Sequence, residues 1–495
     1  MLLFALICIK LLTSMATISY ANSTQPIQFL QPYWPTKQDV DPTDRISVGD
    51  WDIFQNMYST IVEMASAIAV KPALAEKWTQ SANGKRWVFY LRKNLLWSDG
   101  SPMTTEQVVA SLKRSAKGTN HTNFSGYVEQ INVLANNQIE MQLKRTPPNF
   151  LTLLSFVDCS IVHPSAYEKS LFTWRSQSSG AFRVSSYSDS QIELVANPYY
   201  WDNSPDRVQR ATLIRPQNSS PKDRMSTLLK SSWDASQIDA GIIQDFSEVE
   251  NLKQKYDVFV GTPDFLFSIY FSRKRTLNGR LSDALRQHFF KSIYDDFWKQ
   301  SRNNSFRAIG MRFPGKKGSI TAAEFDKIFS EMKKALVDKQ KIFPKTIEIL
   351  LGKTNKSKPA IDRVYAIIRS LGFSIKEIYS EDALVVRKYQ KSGEYDLYIS
   401  FVGVSEDDPD TVWRYYSDYF AKPVTTTEEL DKAQLEPDAT KRNQMYQEFE
   451  KRAIERALFI PLKYEPTYIV TSKRVVLDTT LAADWGLQLF KLRMR

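Results

Sequence analysis

Apolar and polar positions alternate clearly in residues 87–109, which read WVFYLRKNLLWSDGSPMTTEQVV. The start of this segment predicts a strand, because side chains of a strand point alternately to its two faces. Asp99-Gly100 predicts a turn, since glycine adopts a positive φ without steric cost. Thr104 and Gln107 have the spacing of a capping box, which predicts that a helix begins there. The segment is therefore expected to fold as strand, turn and helix.

Residues 52–70 have the spacing of a helix rather than of a strand. Apolar side chains recur every three or four positions, at Ile53, Met57, Ile61, Met64 and Ile68. This period places them on one face of an α-helix, so one continuous helix is expected here.

From residue 72 to residue 243 the pattern predicts mostly strands. Asn83-Gly84 and Asn136-Asn137 are the turn residues of two expected hairpins. Two further alternating strands precede Asn197-Pro198, and the segment TPPNFLTLLSF predicts a helix that begins after prolines. Residues 221–231 predict a helix, and strands are expected in RATLIRPQ and SQIDAGII.

The second half of the chain alternates strands and helices more regularly. The segments TIEILLGK, FSIKEIYS and YDLYISFVGV predict strands, and residues 359–371 predict a helix that Gly372 ends. A strand, a helix and a strand of this length predict a parallel unit with a right-handed crossover. A crossing strand is expected at 262–270, and a last helix at 441–457 precedes extended residues.

Size and composition bound the architecture. At 495 residues the chain is too long for one core, so two or three domains are expected. Aromatic residues make up 13% of the chain, with 23 Tyr, 28 Phe and 11 Trp, and they fit either a recognition surface or ordinary core content. The net charge of +11 comes from scattered Lys and Arg without a run of five, which favours a basic solvated surface over nucleic-acid binding.

The N-terminal segment MLLFALICIKLLTSMATISYA is apolar and ends in small residues, with Ser19-Tyr20-Ala21 as a cleavage site. It is typical of a secretory signal peptide, so a periplasmic or secreted location is expected. The residues before Cys8 do not form a lipoprotein signal, and no other stretch approaches the roughly 18 apolar residues of a membrane helix. After cleavage Cys159 is alone, and we expect it to be a small buried apolar residue.

Signatures of catalysis and of metal binding are missing from the sequence. The three histidines, His121, His163 and His288, have no helical ligand spacing, and no H-E-x-x-H, G-x-S-x-G or G-x-x-x-x-G-K-[ST] motif occurs. An enzyme is therefore not expected, nor is a catalytic residue, a cofactor or a metal site.

Six blocks of sequence follow one another in an informative order. They are Pro72 to Trp78, read as a helical start before a tryptophan; Phe89 to Arg92 with Trp97 to Val108; Ser179 to Phe182 with Asn197 to Trp201; Arg286-Gln287; Asp407 to Asp410; and Arg442 to Glu450 with Ile460 to Leu462. In this order they resemble the extracellular solute-binding proteins of ABC importers, in particular the oligopeptide-, dipeptide- and nickel-binding family (family 5). A resemblance of this kind speaks for the fold and says little about the ligand.

The resemblance implies an α/β fold of two lobes, the periplasmic binding protein fold of the large peptide-binding type, with a subdomain inserted in lobe I. The expected division is a signal peptide at 1–21, lobe I at 22–47, 178–262 and 466–495, the subdomain at 48–177 and lobe II at 263–465. It also implies closure about a hinge formed by crossing strands near 262–270 and 462–468.

The resemblance places the ligand between the lobes. The expected ligand-binding residues are Asp50, Trp51, Tyr270, Phe401, Ser405, Asp407, Asp408 and Trp413. The carboxylates of residues 406–410 would attract a ligand ammonium or guanidinium, because the dielectric constant of a cleft is lower than that of water. In peptide-binding relatives an aspartate holds the α-amino group of the peptide, and Ser405 stands at that position here. The alternative is an exposed acidic turn with aromatic core residues behind it.

The implied function is that of the substrate-binding component of an ABC importer. A peptide-like solute would pair its backbone with strand edges in the cleft, and a monomeric protein would deliver it to an ABC permease in the inner membrane. Two functions of other classes are open from the residues: a solute-sensing protein that regulates transcription or signalling, and a secreted hydrolase.

Overall fold

The structure is a computed structural model. It describes residues 26–31, 41–43, 48–66, 69–118, 124–147, 149–168, 177–202, 204, 207–215, 238–243, 252–253, 256–261, 265–299, 307–334, 344–352, 359–380, 383–403, 409–416, 424–466, 468–477 and 488–494. The predicted signal segment 1–21 and the predicted helix at 221–231 lie outside the described residues.

The strands are listed here in chain order. They are β1 Ile27–Leu30, β2 Val62–Ser66, β3 Ala69–Pro72, β4 Ala75–Gln80, β5 Arg86–Leu91, β6 Val128–Leu134, β7 Gln138–Leu143, β8 Phe182–Tyr187, β9 Gln191–Ala196, β10 Arg210–Ile214, β11 Ala240–Ile243, β12 Asp257–Val260, β13 Phe265–Phe271, β14 Thr346–Gly352, β15 Ser374–Ser380, β16 Leu397–Gly403, β17 Phe459–Glu465, β18 Tyr468–Thr471, β19 Val475–Leu477 and β20 Leu492–Met494.

The α-helices are listed in the same way. They are α1 Val48–Met57, α2 Thr105–Ser115, α3 Phe124–Tyr127, α4 Phe150–Ser155, α5 Pro164–Glu168, α6 Arg273–Leu277, α7 Asp283–Lys299, α8 Ala322–Lys334, α9 Pro359–Ser370, α10 Ala383–Ser392, α11 Pro409–Tyr416, α12 Thr427–Leu435 and α13 Ala439–Glu455. Short 3₁₀ turns occupy Val157–Cys159 and Leu489–Lys491.

Lobe I is built on a sheet that, among the described residues, has seven strands in the order β12-β18-β11-β1-β10-β9-β8. β1 runs parallel to both β10 and β11, whereas the remaining pairs are antiparallel. The helix α1 packs on this sheet through Ile53, Phe54 and Met57, which are buried in the same cluster as Phe29 and Leu213. Lobe I therefore has its own apolar core.

The subdomain contains an antiparallel sheet of order β4-β5-β7-β6, on which α2 packs. The strand, turn and helix predicted for residues 87–109 are confirmed. Gly100 has a φ of 85°. The Thr104 hydroxyl accepts from the Gln107 backbone N at 3.3 Å, and Gln107 Oε1 accepts from the Thr104 N at 3.0 Å and from Trp97 Nε1 at 3.0 Å. The capping box thus also joins the helix start to the buried Trp97.

Lobe II holds, within the part of the chain that the structure describes, a five-stranded sheet of order β15-β14-β16-β13-β17. β14 is parallel to β15 and β16, whereas β13 is antiparallel to β16 and β17. The parallel unit predicted around 359–371 is confirmed, and Gly372 follows α9 with a φ of 89°. Helices α7 to α13 surround this sheet and bury a core separate from that of lobe I.

The chain passes between the two sheets in two places. It leaves lobe I after Val260 and enters lobe II at Phe265, then returns from Glu465 to Tyr468. The two passages are neighbours, because Val260 is paired with Tyr468 on one side and Phe265 with Glu465 on the other. Two sheets, two cores and a paired crossing confirm the expected α/β architecture of two lobes, while the exact domain boundaries stay a prediction.

The single helix predicted for 52–70 is wrong beyond Met57, where α1 ends and a chain reversal leads into β2. The Met57 carbonyl accepts the backbone N–H of Gly180 at 2.8 Å, and the Ser59 carbonyl accepts that of Ile161 at 2.8 Å. These carbonyls would serve the next helical turn if the helix continued, so their tertiary partners end it.

The helical start implied for Pro72 to Trp78 is also wrong, because Ala75–Gln80 forms the strand β4. β4 pairs with β5 in an antiparallel ladder, in which Gln80 lies opposite Trp87 at one end and Ala75 lies opposite Leu91 at the other. The hairpin that the residue pattern predicts around Asn83-Gly84 is the arrangement observed, so that prediction is confirmed.

We expect Gly180→Ala to destabilise the protein. A Cβ at residue 180 would lie 2.6 Å from the Met57 carbonyl carbon and 2.8 Å from the Asn56 carbonyl oxygen, both of them backbone atoms. Forcing these segments apart should lower the free energy of unfolding by about 1–3 kcal/mol. Urea unfolding followed by tryptophan fluorescence measures this loss.

The control is Gly403→Ala, since a Cβ added there meets nothing within 4 Å. Its stability should equal that of the wild type to within about 0.5 kcal/mol. Equal unfolding midpoints for the two variants would contradict the close approach at Gly180.

Candidate functional site

The acidic segment that sequence analysis singles out follows a central strand of lobe II. β16 ends at Gly403 and α11 begins at Pro409. β14 and β16 are parallel, so their carboxyl ends meet at one edge of the sheet, which is where α/β proteins commonly bind ligands. Ser405, Asp407 and Asp408 lie between these elements but outside the described residues, and their roles stay predictions.

Asp410, the last acidic residue of this segment, is buried and held by two side chains. Arg414 Nε donates to it at 2.6 Å, and the Tyr446 hydroxyl donates to it at 2.9 Å. Burial raises the pKa of the Asp410 carboxyl, and the neighbouring guanidinium of Arg414 opposes that rise. Asp410 therefore fixes the first turn of α11 to α13.

Phe401 and Tyr270 lie on neighbouring strands of lobe II. Phe401 is half-buried on β16 and stacks on Phe267, with ring centroids 4.6 Å apart. Tyr270 is fully buried, its ring stacked near Phe459, and burial raises the pKa of its hydroxyl. Phe401 has surface for a ligand contact in this arrangement of the lobes, whereas Tyr270 packs inside the core.

Trp413 belongs to the same core. Its side chain is fully buried on α11, and its ring meets Phe449 edge-on at a centroid distance of 6.2 Å. The expected contacts of Tyr270 and Trp413 with a ligand stay predictions, since both would need an accessible face.

Asp50 and Trp51 lie in the first turn of α1, which packs on the sheet of lobe I, although the expected division assigns residues 48–57 to the subdomain. Asp50 is 1% exposed, while Trp51 is half-buried and meets Phe156 edge-on at 5.9 Å. A carboxylate in the first turn of a helix is stabilised by the unpaired N–H groups there. Trp51 lies at the junction of lobe I and the subdomain.

Trp51 also lines a cavity of about 50 Å³ between lobe I and the subdomain. Tyr58, Glu63, Phe156 and Gln488 are among its other lining residues. Its lining contains no residue of lobe II among those described, so it is distinct from the cleft between the lobes.

Sequence analysis missed a cluster of charged residues on lobe II. Arg414 Nη2 lies 2.7 Å from Asp431 on α12 in addition to its bond with Asp410, and Arg145 of the subdomain reaches the same Asp431 at 2.9 Å. Partial burial tends to raise the pKa of Asp431, but hydrogen bonds from Arg145 and Arg414 outweigh it and lower the pKa. Asp410 and Arg414 have the i, i+4 spacing of a helix, but Arg145 and Asp431 are too far apart in sequence for any local pattern to indicate their contact.

Other chemistry is sparse in the described part of the chain. No group of three His, Cys, Asp or Glu side chains is placed to hold a metal ion there. Cys159 is buried as expected, and burial raises the pKa of its thiol. None of the described helices combines the length and apolar character of a membrane span.

A family model described as bacterial extracellular solute-binding proteins, family 5 Middle, matches residues 69–423 of the 495. The chain belongs to this family.

Relatives of this family 5 protein match it over different lengths. It is 23% identical over 467 residues to the probable D,D-dipeptide-binding periplasmic protein DdpA of Escherichia coli. This alignment covers 88% of each chain. It is 27% identical over 218 residues to the periplasmic oligopeptide-binding protein OppA of Salmonella typhimurium, an alignment of 39% of this chain and only 38% of OppA. These relatives are named as binding proteins, and the comparisons give no support to the regulator or the hydrolase.

A solved structure extends the comparison to the whole fold. The periplasmic binding protein DppA from Helicobacter pylori, in complex with the peptide STSA, superposes with a TM-score of 0.78 at 18% identity, covering 95% of this chain and 98% of DppA. The expected two-lobe binding-protein fold is thereby confirmed for the family 5 chain.

We expect Asp410→Asn to destabilise lobe II by about 2–3 kcal/mol, because removing one partner of a buried ion pair leaves the other charge poorly compensated. The loss should lie below the usual range for a fully buried pair, since Arg414 is 20% exposed and keeps Asp431. Thermal and urea unfolding measure it.

Glu448→Gln serves as the matched control, because Glu448 is 61% exposed and its ion pair with Lys451 lies on the surface. This change should cost less than about 1 kcal/mol. An Asp410→Asn variant as stable as this control would show that the Asp410 carboxylate is not structurally required.

Proposed function

We propose that the protein captures a peptide-like solute between its two lobes and passes it unchanged to an ABC permease. The observation that carries this proposal is the paired crossing of the chain between two separately cored lobes, at Val260 to Phe265 and Glu465 to Tyr468. The relatives named above supply the ligand class, since they are named as dipeptide- or oligopeptide-binding or contain a bound peptide.

Capture follows from the way the lobes are joined. Each lobe buries its own core, so a rotation about the crossing segments leaves both cores intact. A ligand that contacts both lobes favours the closed arrangement, because it binds that arrangement better than the open one. Binding energy is then used for closure, and no chemical step is needed.

The proposed ligand residues come from both sides of the crossing segments. Lobe I contributes Asp50 and Trp51, and lobe II contributes Tyr270, Phe401, Ser405, Asp407, Asp408 and Trp413. Asp407 and Asp408 are the candidates for binding the α-ammonium of a peptide, in place of the aspartate that Ser405 replaces. Main-chain hydrogen bonds to an extended ligand would supply affinity that is independent of its side chains.

The same proposal includes location and partners. The signal-like segment 1–21 and the named location of the relatives support a periplasmic protein. The partner is the permease of an ABC importer in the inner membrane, and the protein acts as a monomer without cofactor or catalysis.

Calorimetry and thermal shift with pools of unmodified di- to pentapeptides test the ligand class. A peptide at about 100 times its Kd should stabilise the protein by about 2.7 kcal/mol, which raises the Tm by roughly 3 °C. Acetylation of the peptide N-terminus should weaken binding about 10- to 100-fold, because it removes a charged hydrogen-bond donor.

Asp407→Asn combined with Asp408→Asn should weaken binding of the unmodified peptide and abolish the difference from the acetylated one. Glu448→Gln, which changes an exposed carboxylate paired with Lys451 on the surface, should leave both affinities unchanged. Stabilisation by a metal chelate or a sugar, together with no response to any peptide, would overturn the ligand class.

A further inference from the structure

The subdomain touches lobe II through side chains far apart in the sequence. On the subdomain, Tyr127 ends α3 and Arg145 follows β7. On lobe II, Asp431 and Gln434 lie on one face of α12. Arg145 Nη1 lies 2.9 Å from Asp431 Oδ1, and Gln434 Nε2 donates to the Tyr127 hydroxyl. We name these four residues the bridging cluster.

The bridging cluster combines an ion pair with buried polar contacts. Tyr127 is 3% exposed and Gln434 is 2% exposed, so their hydrogen bond is shielded from water. The Arg145 guanidinium lies over the Tyr127 ring, 4.8 Å from its centroid. A cation over an aromatic face gains more when it is partly desolvated, and Arg145 is 25% exposed. Each contact contributes modestly to stability, but all of them join the subdomain to lobe II.

The cluster lies away from the crossing segments. α12 packs against α11 and α13, whereas the crossings enter the sheet of lobe II through β13 and β17. Arg145 and Tyr127 belong to the chain segment that precedes the first crossing, and Asp431 and Gln434 belong to the segment between the crossings. Rotation about the crossings must therefore separate the members of the cluster.

The cluster is also connected to the segment proposed to hold the ligand. Arg414 bonds Asp431 at 2.7 Å and Asp410 at 2.6 Å. Asp410 is the second residue of α11, directly after the undescribed residues 404–408. A chain of ionic contacts thus runs from the subdomain through α12 to the end of the acidic segment.

We propose that the bridging cluster is a latch, which holds the subdomain against lobe II in the closed arrangement and sets the ratio of closed to open molecules. Its use in capture rests on the proposed function, but its effect on the lobes does not require a ligand. An intact latch would increase the fraction of ligand-free molecules that are closed. Because that fraction sets the apparent affinity, a ligand would bind more tightly when the latch is intact.

Spin labels are attached to Lys85→Cys in the subdomain and to Lys388→Cys in lobe II, which are both exposed positions. They report the distance between the subdomain and lobe II in the ligand-free protein. The background substitution Cys8→Ser removes the other cysteine that could take a label. The buried Cys159 does not compete for the label. Arg145→Met keeps most of the apolar stem and removes the charge. We expect it to lower the ratio of closed to open molecules about fivefold, the effect of losing one partly exposed ion pair with its ring contact.

Lys451→Met is the matched control. Lys451 has the same 25% exposure as Arg145, but its ion pair with Glu324 lies within lobe II. This variant should retain the wild-type distance distribution. Raising NaCl from about 50 to 500 mM should lower the closed-to-open ratio of the wild type and of Lys451→Met, and should change that of Arg145→Met much less.

Asp431→Asn gives an independent second variant, and its combination with Arg145→Met completes a double-mutant cycle. If Arg145 and Asp431 act through their direct ion pair, the closed-to-open ratio of the double variant should be no lower than that of the more open single variant. The latch is overturned if Arg145→Met has the distance distribution of Lys451→Met, or if the two substitutions act additively. Failure of every peptide to bind would remove the proposed ligand and leave these distances unaffected.

Discussion

The pairing of two chain passages between the sheets is the constraint on which the rest of the structure depends. β12 pairs with β18 in lobe I, and β13 pairs with β17 in lobe II, so the two connections lie side by side. The sheet of lobe I and the subdomain can then bury their own apolar clusters on one side of the crossings, while residues 265 to 465 bury a separate core on the other. Because neither core needs the other, a change of angle between the lobes disturbs only a few backbone dihedrals. A single passage would leave the lobes free to twist, and two distant passages would lock them.

Buried carboxylates, and not apolar contacts alone, join the elements of lobe II near the carboxyl ends of β14 and β16. Glu450 on α13 accepts the backbone N–H groups of Arg312 at 2.9 Å and Ile320 at 2.8 Å, and burial raises its pKa to about 7. Asp410 ties α11 to the same helix through Tyr446. α13 thus anchors both a loop of lobe II and the end of the acidic segment. Loops that bind ligands work best when a rigid element fixes their ends.

Local chemistry was sufficient to predict most elements, and tertiary contacts explain the rest. The turns at Gly84 and Asn136-Asn137, the capping box at Thr104 and the helix stop at Gly372 each depend on residues within a few positions, and all are present. The segment after Met57 is different, because its carbonyls bond to residues over a hundred positions away. Nothing in residues 52–70 reveals those partners. The contact of Arg145 with Asp431 is of the same kind, since both look like ordinary surface charges in the sequence.

The aromatic residues show why composition alone could not decide between a core and a recognition surface. In lobe II, Tyr294, Phe325 and Phe329 pack on one another at centroid distances of 5.1 to 5.6 Å, deep in the core. Tyr270 and Trp413 are likewise fully buried, so much of this lobe's aromatic content is structural. Under the proposed function, affinity for a solute would then come chiefly from strand edges, from Phe401 and from the acidic segment. Such a site would recognise the backbone and charge of a ligand more than the shape of its side chains, which fits the proposed uptake of a class of peptides rather than of a single one.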